Sequence, residues 1–235
     1  MIRGVVFCPH PPALVPEISG GAAAELANLR AACVAGIERI AALGAPLVLL
    51  GSAPTSQSHL PGCRGSFAPF GVPQQVYLGS PGHGGSLDLP LSLTIGAWLL
   101  DTTRGSHGAV RGFSVALDFA TSRPAAELVA LVESEDLSLV VLGDGSARRS
   151  LTAPGYFDER SAAFDESVVA ALSAGNAAAL SAIDAELGGQ LLAAGPPAWH
   201  AAASVIGEDE YVADVTFADA PYGVGYFVAT WIRHA

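Results

Sequence analysis

His10 is the residue whose setting first suggests chemistry. It stands in PheCysProHisProPro, directly after the apolar run Gly4 to Cys8, and prolines on both sides limit its backbone freedom. An imidazole held rigidly at a strand end can be aimed, neutral, at a metal ion, or it can simply hydrogen-bond within a turn. A second candidate is GlyAspGlySerAlaArgArg, from Gly143 to Arg149, where Asp144, Ser146, Arg148 and Arg149 follow another apolar run. Backbone N–H groups in a Gly-rich turn, with two guanidinium groups beside them, can hold a phosphate or carboxylate. The alternative is a polar loop with solvated arginines, because the G-x-G-x-x-G spacing is missing and no helix starts at once. No G-x-S-x-G elbow occurs, so nothing points to a Ser-His-Asp hydrolase.

These residues sit between short β-branched or Leu-rich runs that alternate with longer helical patterns, as expected for a mostly parallel sheet covered on both faces. Strands are predicted at Gly4 to Cys8, Leu47 to Gly51, Gln74 to Leu78, Gly112 to Leu117 and Leu137 to Leu142. In the first helix, near Ala22 to Ala42, Leu26, Leu29, Cys33, Ile37 and Ile40 recur at spacings of three and four and form one apolar stripe. Further helices are predicted near Leu89 to Leu100, Pro124 to Glu133, Asp158 to Leu172, Ala177 to Leu187 and Pro197 to Ile206. The runs Tyr211 to Phe217 and Val224 to Ile232, joined by AspAlaProTyrGly, predict an antiparallel hairpin at the sheet edge. Ser52 to Pro73 is rich in Gly, Pro and Ser without periodicity and reads as a long loop. The expected fold is α/β: one three-layer α/β/α domain over residues 1–235, with a mostly parallel central sheet and a C-terminal hairpin.

Composition narrows the function classes. The 235 residues are 51% hydrophobic, enough for a sizeable core without disulfides or a structural metal. Cys8, Cys33 and Cys63 are odd in number and lack C-x-x-C spacing, which fits a reducing compartment and disfavours a zinc ribbon. The apolar runs are strand-sized, and neither a signal peptide nor a membrane span is expected, so the location read from the sequence is cytoplasmic. Net charge is −11 and all eleven basic residues are arginine, which excludes a Schiff-base or Walker A lysine and argues against nucleic acid as a partner.

His-Pro-Pro-x-Leu-x-Pro-Glu after the first strand resembles the opening of the class III, LigB-type extradiol dioxygenases and their Memo-like relatives, in which the matching His binds iron. Gly105 to Val110, GlySerHisGlyAlaVal, is similar to the family's Asp-His-Gly segment, whose His, here His107, belongs to the substrate pocket. Gly143 to Glu166 resembles the family's Gly-Asp-x-Ser-His stretch followed by Tyr-Asp-x-Arg-x-x-x-Phe-Asp, and AlaProTyrGlyValGlyTyr, Ala220 to Tyr226, matches the last hairpin. The four segments keep the family's order along nearly the whole chain.

Departures decide what this resemblance implies. A second ligand His would close the second strand, where Gly51 to Thr55 reads GlySerAlaProThr; the general-base His is replaced by Ala147; Leu191 to Pro197 holds no His, Cys or carboxylate for the third ligand. An extradiol iron centre needs two His, a carboxylate and open positions. Candidate replacements are His59 or His200 with an acidic residue such as Asp219 or Glu17, His59 being carried forward as a metal ligand; a loop His, a helical His, a turn-capping Asp and a helix-start Glu are their ordinary explanations. The expectation is therefore a homologue with an incomplete site, holding no metal as isolated and repurposed to bind a small anionic ligand or a partner. The alternative is an active Fe(II) or Zn(II) enzyme that cleaves a catechol-type aromatic with His107 in acid/base roles. On either reading His10 and His107 are expected to face one cleft at the carboxyl edge of the sheet. Association of identical subunits is left open.

Overall fold

The computed structural model describes residues 1–81, 88–105, 107–117 and 126–234. Its elements are β1 (Ile2–Cys8), α1 (Pro16–Ser19), α2 (Ala27–Ala41), β2 (Leu47–Ala53), β3 (Gln57–His59), β4 (Arg64–Ser66), β5 (Gln75–Tyr77), α3 (Leu91–Thr102) and β6 (Arg111–Ala116). There follow α4 (Ala126–Ser134), β7 (Leu137–Leu142), α5 (Arg160–Ala174), α6 (Ala177–Ser181), α7 (Ala185–Gln190), α8 (Pro196–Ile206), β8 (Tyr211–Asp219) and β9 (Tyr226–Arg233).

The seven-stranded sheet has the order β3-β6-β2-β7-β1-β9-β8. Its four central strands, β6, β2, β7 and β1, pair in parallel, and β3 on one side and the β9–β8 hairpin on the other are antiparallel. The fold is the α/β class expected, with the C-terminal hairpin in place. Buried strands need apolar residues on both faces, and β2 (LVLLGSA) and β7 (LSLVVL) are buried at every position. Alternation along β1 sends Val5 and Phe7 to a core that includes α4, α5, α6 and α8, and Val6 and Cys8 to a second core that includes α2 and α3.

Two local expectations change. Ser52 to Pro73 is not a structureless loop: it contains β3, which closes one sheet edge, and β4, which pairs with β5 in a separate two-stranded ribbon. A three-residue strand is too short to show a period, so its pairing is set by β6. The helix expected over Ala177 to Leu187 is two short helices, because Asp184 leaves helical geometry and its Oδ1 caps the second by accepting Leu187 N–H at 2.9 Å. The first two residues of the helix expected at Pro124 to Glu133 lie outside the described residues. Among the described residues no helix is long and apolar enough to cross a membrane.

Candidate functional site

Ligands in open α/β sheets lie beyond the carboxyl ends of strands whose following connections leave to opposite faces. Here the chain after β1 and β2 leads to the face of α2 and α3, whereas after β7 it crosses to the face of α5 and α8. The crevice between them is flanked by His10 after β1, Ser52 in β2, and Gly143 and Asp144 after β7.

This crevice is filled by the protein itself. The His10 N–H donates to Asp144 Oδ1 at 2.7 Å, and the imidazole is buried with Nδ1 3.6 Å from the same oxygen and without a hydrogen bond. The segment before α8 closes over it: Gly195 N–H donates to the Asp144 carbonyl and Ala147 N–H to the Leu191 carbonyl, both at 2.9 Å, and the Ser52 hydroxyl donates to the Ala194 carbonyl. Trp199 packs so tightly that a Cβ on Gly143 would stand 2.7 Å from its indole nitrogen. The three places that would carry iron ligands by resemblance, after β1, at the end of β2 and before α8, do converge. They present His10, Ser52 with Ala53, and Ala194 with Gly195. One imidazole beside a carboxylate that is already accepting a backbone N–H does not fit an extradiol iron centre. Among the described residues no three His, Cys, Asp or Glu side chains are placed to hold a metal ion.

Beside the crevice lies a residue that the sequence reading quoted without assigning it a role. Asp165, buried in α5, accepts the Ser146 N–H on Oδ1 and the Ser146 hydroxyl on Oδ2, each at 2.8 Å, and Arg149 Nη1 at 3.4 Å. Burial pushes its pKa up, against the opposing pull of the Ser146 bonds and the Arg149 charge. Gly145 N–H donates to the Gly225 carbonyl at 2.7 Å, and Gly225 N–H to the Ser146 carbonyl at 2.8 Å. A Cβ on Gly225 would stand 2.5 Å from Asp165 Oδ2, and one on Gly145 2.8 Å from Oδ1, so only glycine lets both chains reach the carboxylate. Two of the four resembling segments, Gly143 to Glu166 and Ala220 to Tyr226, thus meet in one buried polar knot, tied to a third through Asp144 and His10. The signal was present in the sequence as GlyAspGlySer, PheAsp and TyrGlyValGlyTyr.

The arginines of the turn face carboxylates of their own chain. Arg148 Nε donates to the Gly155 carbonyl at 2.8 Å and its Nη1 is 3.6 Å from Asp158, while Arg149 holds Asp165. Asp158 is held down at about 2, chiefly by its hydrogen bonds from Arg160. Neither reading of this turn anticipated that pairing: the guanidinium groups are neither aimed at an open anion site nor simply solvated.

His107 and His59 fall elsewhere. His107 precedes β6, which runs parallel to β1, so it lies at the amino edge of the sheet and His10 at the carboxyl edge, apart by roughly the 20 Å length of a six-residue strand. The expectation of one shared cleft is overturned. His107 instead lines an amino-edge cleft of about 900 Å³ with Arg104, Arg111, Glu38, Glu135 and Pro46, and its Nε2 bonds the Thr103 hydroxyl. His59 is not on an open loop but buried in β3, its Nε2 3.2 Å from Ser114 Oγ and its pKa lowered by burial. Four strand spacings, about 19 Å, separate β3 from β1, too far for His59 and His10 to share a metal. His200 contacts the Ile183 carbonyl at 2.9 Å, Asp219 accepts the Ala220 N–H, and Glu17 is exposed in α1.

No protein-family model matches the chain, and no curated protein matches it either.

Proposed function

We propose that this chain is a non-catalytic homologue of the LigB-type fold, in which the carboxyl-edge crevice has become a structural element and the remaining surface serves binding. The single observation that carries this reading is the closure of the crevice. Of the three positions converging there, only His10 has a metal-binding side chain, and the segment Leu191 to Gly195 is hydrogen-bonded to Ser52, Asp144 and Ala147 with Trp199 packed against Gly143. Catechol chelation also requires a base to take the hydroxyl proton. Ala147 stands where the resemblance places that base, and His107 is at the far edge of the sheet. Three buried free thiols suit a reducing compartment. The test is oxygen uptake by purified protein supplied anaerobically with Fe(II) and then given catechol or protocatechuate, with bound iron measured in parallel. The expected outcome is no uptake above the free-iron blank and less than stoichiometric iron; robust cleavage would reverse the reading.

A second reading keeps binding of a small anion and moves it to the amino-edge cleft. Arg104 makes no ion pair with a described residue, and Arg111 meets Glu135 only at 4.0 Å, so two guanidinium groups are available to a carboxylate or phosphate. Opposing them are Glu38, Glu135 and the carboxyl ends of α2 and α4, each end equivalent to about half a negative charge. Binding there is therefore weak and falls with salt.

A further inference from the structure

Two arginines of the amino-edge cleft behave unlike most others in the chain. Elsewhere Arg3, Arg39, Arg64, Arg160 and Arg233 close on carboxylates at 2.6 to 3.1 Å. Arg111 stands 4.0 Å from Glu135, and Arg104 makes no ion pair with a described residue although Glu38 lines the same cleft. Glu38 Oε1 instead accepts the Arg104 backbone N–H at 3.0 Å. That bond pins a carboxylate beside Arg104 without using the guanidinium group. Opposite charges thus share one open cleft of about 900 Å³ without neutralising each other in tight pairs.

The charge around the cleft is mixed and slightly negative. Its walls carry Arg104 and Arg111 against Glu38 and Glu135, and Asp101 acts on His107 from the adjoining pocket. Two positive groups therefore face three negative ones. Asp136, next to Glu135, is already paired with Arg3 and with the Met1 ammonium. That ammonium also donates to the Val132 and Glu135 carbonyls and so covers the end of α4, whereas α2 brings its negative pole to the cleft at Ala41 and Ala42. The Thr103 hydroxyl donates to the Leu100 carbonyl at 2.7 Å, so it accepts from His107 Nε2–H. In its uncharged form the imidazole then offers Nδ1 as a further acceptor.

A bare carboxylate or phosphate is attracted by the guanidinium groups and repelled by the carboxylates; a bare amine meets the reverse. A molecule with both charges on one carbon is attracted by both sets, because each pole can sit beside its own counter-charge. Ala41, Ala42, Pro46 and Leu131 add an apolar wall. We propose that the amino-edge cleft binds an α-amino acid with an aliphatic side chain. Its carboxylate is taken by Arg104 and Arg111, its ammonium by Glu38, and its side chain lies against that wall. The proposal rests on the second reading above, in which this cleft is a binding site, and replaces its simple anion by a zwitterion.

Calorimetric titration with L-leucine tests this beside its two halves: isocaproate, which lacks the ammonium, and isoamylamine, which lacks the carboxylate. Leucine should bind about tenfold or more tighter than either, and glycine several-fold more weakly than leucine. Arg104→Ala with Arg111→Ala should abolish leucine binding. Glu38→Gln with Glu135→Gln should weaken leucine on the order of fivefold and strengthen isocaproate, since the repulsion goes and the guanidinium groups stay. None of these four side chains is buried, and the unfolding midpoints of the variants should match that of the parent. If isocaproate binds the parent as tightly as leucine and needs the two arginines, the zwitterion is overturned and the anion reading stands. If none of the probes binds, or if Arg148→Ala removes the binding instead, both fall. Isoamylamine or glycine binding as tightly as leucine also overturns the proposal.

Discussion

The two ends of the sheet are built from similar residue types and do opposite things. At the carboxyl edge Asp144, Ser146, Arg149 and Asp165 are bonded to one another or to backbone, and His10 is buried against Asp144. At the amino edge Arg104, His107, Arg111, Glu38 and Glu135 surround an open cleft of about 900 Å³ and make few mutual bonds. Polar residues clustered in a sequence motif therefore do not announce a site. The deciding quantity is how many of their hydrogen-bonding groups the chain itself has already used, because a group satisfied internally at 2.8 Å must give up that bond before it can meet a ligand.

The contrast is sharpened most by Asp165→Ala. Removing the carboxylate leaves the Ser146 N–H and hydroxyl without their acceptor inside the protein and Arg149 without its partner, and should lower unfolding stability by about 3 kcal/mol or more, seen as a lower denaturant midpoint. Asp165→Asn keeps an oxygen acceptor and should lose less. An Asp165→Ala protein within 0.5 kcal/mol of the parent, roughly the scale of neutral surface changes, would dissolve the distinction between the two edges.

Gly225→Ala comes next. The added Cβ meets Asp165 Oδ2 at 2.5 Å, so the knot must open or shift, at a cost of about 1–3 kcal/mol. Glu38→Ala, on the cleft, should change stability by no more than roughly 0.5 kcal/mol.

Acidity separates the edges in a smaller way. Burial raises the pKa of Asp165 above its unfolded value of 3.8, so the native state holds that proton more tightly than the unfolded chain. Its contribution is fully present below 3.8 and is lost as pH rises through the raised native value. Asp165→Asn should remove that slope, so the stability difference between parent and variant should change with pH over that window and level off above it. A difference that stays constant across the window would show that desolvation of this carboxylate is offset within the knot.

The smallest expected effect is at the open end. Arg104→Ala with Arg111→Ala should leave the unfolding midpoint within about 0.5 kcal/mol, since Arg104 has no ion-pair partner among the described residues and Arg111 is only loosely paired. In a thermal-shift screen of small carboxylates and phosphate, any stabilisation seen with the parent should vanish in this variant. Arg148→Ala should not affect it. The reverse pattern would return anion binding to the Gly143 to Arg149 turn.

Local pattern was enough for most of the fold. Apolar runs over Leu47 to Leu50 and Leu137 to Leu142, and the three-and-four spacing through Leu29, Cys33, Ile37 and Ile40, depend only on near neighbours, and the structure has β2, β7 and α2 there. The hairpin β8–β9 was legible for the same reason. The position of His107 was legible too: a residue before a parallel strand lies at the opposite edge from one after such a strand, so chain order alone separates it from His10. The expectation of one cleft rested on the two positions together with the resemblance and placed a turn leading into a strand at the carboxyl edge; the strand direction places it at the other.

What the sequence by itself determined was residue type and local period: one imidazole at a strand end, two arginines in a turn, no lysine, and small residues where other ligands would stand. Only the tertiary structure decided which of these groups meet. Asp165 joins Ser146 from nineteen positions away and Gly225 from beyond three more helices and a strand, and β3 takes its place through β6. Hydrogen-bond partners and burial depend on which elements pack together, a non-local property that no residue's neighbours in the chain encode. Whether an Arg or Asp in a motif is free for chemistry is settled there.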